Sequence, residues 1–241
     1  MFVERWSLAA VKSGTQTHGR ILAYHSVGTR QWGVTDVTPR TFERHLQAAV
    51  DDGWTFATPA DVLADPTERR LALTFDDGVT TVLTNALPVL RHHGVPATAF
   101  VVTGWADGRH YAGHDLVLDW AGVRALHQAG VALGSHSVTH PDFGRLSADE
   151  TVRELAESRR RLTEMVGVEA DEFAIPFGQA RHWTEHAAVA AAEVGYQVVY
   201  AHSVNNRSAG TVARTPITRV DRPWHFRAAL AGAFDDWDEW F

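Results

Sequence analysis

The chain has no cysteine among its 241 residues. That excludes disulfides and thiolate ligands, so any bound metal must be held by histidine and carboxylate. No apolar run approaches the roughly 20 residues that a membrane-spanning helix requires. No basic cluster interrupts the net charge of -7, which argues against a nucleic-acid partner. No Pro- or Ser-rich stretch marks a linker, and no short repeat is present. The first eleven residues carry Glu4 and only a very short apolar core, a poor signal peptide; the expected location is cytoplasmic.

What remains is ordinary globular composition, 45% hydrophobic, in a length that suits one α/β domain. Strand and helix patterns alternate throughout. Residues 1–19 read as a loosely packed lead-in. Strands are expected at 21–27, 54–57, 71–75, 97–102, 131–135, 172–175, 196–200 and 215–220. The helix after Thr38-Pro39 is expected to bury Phe42, Leu46, Ala49 and Val50 and to end at Gly53. Helices follow at about 59–64, 81–93, from 119 and at about 184–194. Another starts at the capping box Ser147-Ala148-Asp149-Glu150, burying Val152, Leu155, Leu162 and Met165. A last helix is expected over 224–240, with Phe234, Trp237 and Trp240 on one side as a possible homo-oligomer contact. The alternation implies a parallel sheet with crossover helices. A closed or nearly closed barrel of about seven strands fits best. The alternative, an open doubly wound sheet, lacks a glycine-rich phosphate loop after its first strand.

Two chemical clusters sit at predicted strand ends. Leu71-Ala72-Leu73-Thr74-Phe75 runs into Asp76-Asp77-Gly78. Adjacent carboxylates are costly to hold unless a cation or a shared proton separates their roles. His136-Ser137-Val138-Thr139-His140-Pro141 places two histidines four apart. Pro141 disfavours helix at residue 140, so this is a strand end and a tight turn rather than a metal-binding helix. In parallel α/β folds the carboxyl ends of strands share one face, so the two clusters can meet. One acid and two histidines can hold a metal and leave positions open, while the second acid serves as a general base. Other features invite plain readings. His92-His93 ends a helix, His114-Asp115 lies in a loop over 103–118, Arg159-Arg160-Arg161 suits a solvated helix face, and Trp105 and Trp183 suit either packing or stacking on a sugar.

Thr74-Phe75-Asp76-Asp77-Gly78, His136-Ser137-Val138-Thr139-His140 and Phe173-Ala174-Ile175-Pro176-Phe177-Gly178 resemble the first three motifs of the polysaccharide deacetylases, in the family's order. These are carbohydrate esterases with a nodulation-deacetylase homology domain. The resemblance covers about residues 20–222 and makes 1–241 a single domain. It implies a distorted (β/α) barrel that removes N- or O-acetyl groups from an N-acetylated sugar, oligosaccharide or glycoconjugate. It implies a divalent metal, usually zinc, with cobalt, nickel or manganese as alternatives. By resemblance Asp76 is the general base, Asp77, His136 and His140 are the metal ligands, and the Phe177 N–H helps hold an oxyanion.

The chain departs from the family pattern twice. Many members carry Arg at the position of Ala174, where it orients the catalytic Asp; Arg219, near the end of the last predicted strand, is the expected substitute. The family's late Leu-x-His motif has no convincing copy. Tyr24-His25 lies instead on the first strand, as in the permuted branch that includes poly-N-acetylglucosamine deacetylases, and His25 is the expected general acid. Two other functions remain compatible with the residues: hydrolysis of a non-sugar amide or cyclic imide, and carbohydrate binding without catalysis.

Overall fold

The computed structural model describes residues 19–109, 116–203 and 205–236. Strand β1 (Arg20–Tyr24) is followed by a short β2 (Ser26–Val27), a 3₁₀ segment (Arg30–Thr35) and β3 (Asp36–Val37). Then come α1 (Pro39–Asp51), β4 (Thr55–Phe56), α2 (Pro59–Ala64) and β5 (Arg70–Phe75). A π-helical turn (Val82–Ala86) leads into α3 (Leu87–His93), then β6 (Ala97–Val101), α4 (Trp120–Gln128) and β7 (Ala132–Ser135). The chain continues through α5 (Ala148–Val166), β8 (Glu172–Ala174), α6 (Glu185–Val194), β9 (Val198–His202), β10 (Val212–Pro216) and α7 (Pro223–Leu230).

Strands β1, β10, β9, β8, β7, β6 and β5 pair in parallel in that order, and β5 pairs back to β1. This is the closed seven-stranded barrel expected from the alternation. β4 pairs only with Arg70 and Leu71, before β6 takes over that edge of β5 at Leu73. Alternate strand residues divide the core. Ile21, Ala72, Phe100, Ala174 and Tyr200 cluster inside the barrel. Leu22, Leu71, Leu73, Phe75, Leu133 and Phe173 face out and join the helices' apolar faces.

Several helix faces differ from the periodicity reading. On α1 His45 is fully buried and Val50 is 50% exposed, because Tyr24 and Phe226 supply a hydrogen bond and a stacking partner for the imidazole. On α5 the buried stripe is Thr151, Leu155, Ser158 and Leu162, and Val152 faces solvent. Of the three consecutive arginines there, Arg160 pairs with Glu164 at the surface, while Arg161 reaches Asp107. The helix read over 81–93 opens with the π turn, where Leu87 N–H donates to Val82 O. The next residue, Pro88, has no N–H to continue a regular ladder. The last helix stops at Leu230, and the chain turns on so that Phe234 is buried. Trp237 and Trp240, the lead-in 1–18 and His114-Asp115 lie outside the described residues. Among the described residues no helix is long and apolar enough to cross a membrane.

Candidate active site

The carboxyl ends of the barrel strands surround a cavity of about 770 Å³. It is lined by His25, Trp32, Asp76, Asp77, Trp105, Arg109, His136, His140, Phe177 and His202, among others. The two clusters read from the sequence therefore meet. All five described non-glycine residues with positive φ stand at this rim: Asp77, Ser137, His140, Phe177 and Ser203. Each such conformation costs on the order of 1–3 kcal/mol and is held by its surroundings.

Asp77, His136 and His140 each offer one ligand atom, all within 4.8 Å of one another. Asp77 Oδ1 lies 3.5 Å from His136 Nε2 and 3.6 Å from His140 Nε2. His136 Nδ1 is 2.7 Å from the Ala174 carbonyl, which can only accept. Nδ1 therefore carries the proton, and Nε2 presents a lone pair in the neutral ring. Asp77 Oδ1 is buried and has no hydrogen-bond partner. Three ligand-type atoms converging in a buried site suit a cation, and the ligand set suits a divalent metal of the zinc type. Burial would raise the Asp77 pKa, but the neighbouring imidazoles of His136, His25 and His140 hold it well below the usual range. Burial lowers His140 to about 4.

The loop after β7 is clamped from outside. Glu154 on α5 accepts from Val138 N–H at 2.8 Å, Thr139 N–H at 3.0 Å and the Thr139 hydroxyl at 2.7 Å. His140 N–H donates to Ser137 Oγ at 2.9 Å.

Asp76 has a different set of partners. Arg214 on β10 donates to both its oxygens, Nη1 to Oδ1 at 2.6 Å and Nη2 to Oδ2 at 2.8 Å. Arg214 is fully buried, also donates to Thr74 Oγ1, and lies over the Phe100 and Tyr200 rings inside the barrel. Burial alone would raise the Asp76 pKa; the Arg214 guanidinium, with His136 and His202, outweighs it and keeps the carboxyl ionised, well below its ordinary value. Arg219 does not take this role. It is exposed, and its N–H donates to Val34 O in the 3₁₀ segment. The last strand lies at 212–216 rather than 215–220, which puts Arg214 on the barrel and Arg219 beyond it.

His25 sits where β1 ends, at the pocket wall, and its buried Nδ1 has no partner. Its ring centroid is 6.4 Å from that of His202. His202 went unnoticed in the sequence because the strand was read as ending at Tyr200; β9 runs to His202. His202 Nε2 is 3.8 Å from Asp76 Oδ2, and burial lowers its pKa to about 4, so the ring is neutral. Gly178 admits that ring: a Cβ there would lie 2.5 Å from His202 Cγ, at a φ of +71°.

Phe177 N–H has no acceptor among the described residues, and its side chain is 48% exposed at the rim. The ring stands edge-on to His140 at 4.7 Å. Trp105 stacks on His140, 5.5 Å away. Trp32, also missed, donates its indole N–H to Asp77 Oδ2 at 3.0 Å. Trp183 is buried against Phe143 and Phe173 and serves packing.

Known proteins share this arrangement of chain. The putative polysaccharide deacetylase YxkH of Bacillus subtilis is 27% identical over 184 residues, 74% of this chain and 62% of that protein. This chain therefore spans somewhat less than two thirds of that relative. The Streptococcus pyogenes deacetylase PplD, solved in complex with acetate, superposes with a TM-score of 0.75 over 90% of this chain and 99% of that one, at 23% identity. IcaB from Ammonifex degensii superposes with a TM-score of 0.73, covering 89% and 97%, at 22% identity. The polysaccharide deacetylase family profile matches residues 64–199, from α2 to β9 and through both acidic and histidine motifs. With the barrel closed and those motifs gathered at one mouth, the chain belongs to the polysaccharide deacetylase family.

Proposed function

We propose that this protein is a metal-dependent deacetylase that hydrolyses an acetamido group on an N-acetylated sugar or glycan, with zinc as its metal. The observation that carries this reading is the division between two adjacent acids. Asp77 Oδ1 faces two imidazole Nε2 atoms, and Asp76 is held by a bidentate guanidinium. A non-catalytic carbohydrate-binding protein has no use for that division, and the aromatic wall of Trp32, Trp105 and Phe177 suits the apolar face of a sugar.

Asp77, His136 and His140 hold the metal in this reading. When bound, it supplies Lewis acidity that lowers the pKa of water and polarises an acyl oxygen. Asp76, ionised and fixed by Arg214, takes the proton of the attacking water. The Phe177 N–H donates to the oxyanion that forms on the acetyl carbon. His25, on the wall of the cavity, gives a proton to the departing amine. The neutral His202 stands beside both His25 and Asp76.

Acetate release from short N-acetylglucosamine oligomers, against monomeric and nucleotide-linked sugars, tests the reading together with metal content. Asp76→Asn is expected to keep the metal and lose acetate release, and His136→Ala to lose both. A fully active Asp76→Asn enzyme sinks the mechanism.

A further inference from the structure

The 3₁₀ segment Arg30–Thr35 lines the cavity mouth between β2 and β3, and no motif read in the sequence includes it. It is firmly tied. Asp36 Oδ1 accepts from the Ser26 hydroxyl at 2.7 Å and from the Gly28 and Thr29 N–H groups, both at 2.8 Å. From the other side of the barrel seam, Arg219 N–H donates to Val34 O at 2.8 Å. The tie brings Trp32 over Asp77, with the indole Nε1 3.0 Å from Oδ2. The same ring stands edge-on to Trp105 at 6.3 Å, and Trp105 stacks on His140.

We propose that Trp32 is a positioning residue for the metal ligand Asp77: its indole N–H engages Oδ2 and commits Oδ1 alone to the metal. The proposal rests on the metal-centre reading above. A carboxylate with both oxygens free can bind a cation through either or both. Here the indole, a donor only, occupies one oxygen in a buried setting. The left-handed backbone at Asp77 brings the carboxylate into the cavity, and the indole sets its rotation. Through the contact of Trp105 with His140, the same segment supports two of the three ligands. Outer-shell hydrogen bonds of this kind typically alter metal affinity by about 10–100-fold.

Trp32→Phe keeps an aromatic ring beside Trp105 and removes the donor. Zinc alone is the probe, titrated into metal-free protein in competition with a chromogenic chelator. The expected result is an affinity about tenfold or more weaker than wild type, with the melting temperature of the metal-free protein retained. A variant that binds zinc within twofold of wild type overturns the role of Trp32 and leaves the metal centre standing. A wild-type protein that takes up no zinc overturns both. Should the variant fail to fold, ¹⁵N-indole spectra of the wild type decide. A Trp32 Nε1 proton protected from exchange and shifted by zinc supports the proposal; one that exchanges freely and does not shift overturns it.

Discussion

Asp76 and Asp77 are neighbours in the chain and opposites in environment. The ion pair that separates them, Arg214 with Asp76, is buried at both ends, so removing one partner leaves a charge without compensation. Arg214→Ala is expected to lower kcat by about 100-fold or more through loss of aim on the attacking water. It should also lower stability by roughly 3–5 kcal/mol, with metal still bound. Arg214→Lys should fall between, because an ammonium cannot span both oxygens. Ala174 is buried in the interior cluster beside Phe100 and Tyr200, the rings under Arg214. Arg214→Ala combined with Ala174→Arg should therefore regain part of kcat by returning the guanidinium along the family's usual route. Steady-state kinetics on the single and double variants check this, and no gain in the double variant refutes the equivalence. The two acids and the two histidines after β7 were legible as strand-end clusters that meet, because residue type and spacing carry that pattern, whereas His25 came from the family resemblance. Arg214 and His202 were not legible. Both strands lie two to four residues from their expected limits, and β-branched residues such as Val198, Val199 and Val212 do not mark where pairing ends. A slip of that size moves a side chain off the barrel mouth or out of the barrel altogether.

At the scale of elements, the loop after β7 is shaped by a helix that comes later in the chain. Glu154 lies two turns into α5, and its carboxylate takes three donors from residues 138 and 139. On the other side Gly104 N–H donates to Val138 O at 2.9 Å, and a Cβ at residue 104 would lie 2.5 Å from that oxygen. The loop is thus gripped between α5 and the end of β6. Glu154→Ala is expected to weaken zinc binding by about tenfold, while Glu154→Gln, which keeps one acceptor oxygen, should lose less. Equal affinity in wild type and Glu154→Ala, measured by the same chelator competition, contradicts the grip. The capping box of α5 gives a smaller and separate effect. Ser147 Oγ accepts from Glu150 N–H, and Glu150 reaches back to Ser147 N–H at 2.9 Å. Ser147→Ala should cost about 1 kcal/mol in thermal or denaturant unfolding without altering metal affinity. That helix start was readable from four consecutive residues, whereas the grip of Glu154 depends on which strand the helix packs beside.

For the whole molecule, the barrel seam imposes a pH dependence. His45 on α1 ties β1 to the turn before α7. Its Nε2 is 2.5 Å from the Asp221 carbonyl and must donate, so Nδ1 accepts from the Tyr24 hydroxyl at 3.1 Å. The ring also stacks on Phe226, with centroids 4.4 Å apart. Burial lowers the His45 pKa to about 4, and the carbonyl and charge of Asp221 only partly offset that. An unfolded histidine titrates near 6.5, so between these values the unfolded chain binds the extra proton. The stability that depends on neutral His45 is therefore complete above about pH 6.5, falls as pH drops, and is lost by about pH 4. The separation corresponds to about 3 kcal/mol at one pKa unit per 1.36 kcal/mol. His202, also lowered to about 4, tilts the curve in the same sense, so the contribution of His45 is read as a difference. His45→Gln keeps a donor and an acceptor but does not titrate. Urea unfolding from pH 7 to pH 4 should show the variant less stable at neutral pH and its decline with acid shallower. Parallel curves for wild type and His45→Gln would mean that the proton enters elsewhere, and that the seam does not set the acid limit of the barrel.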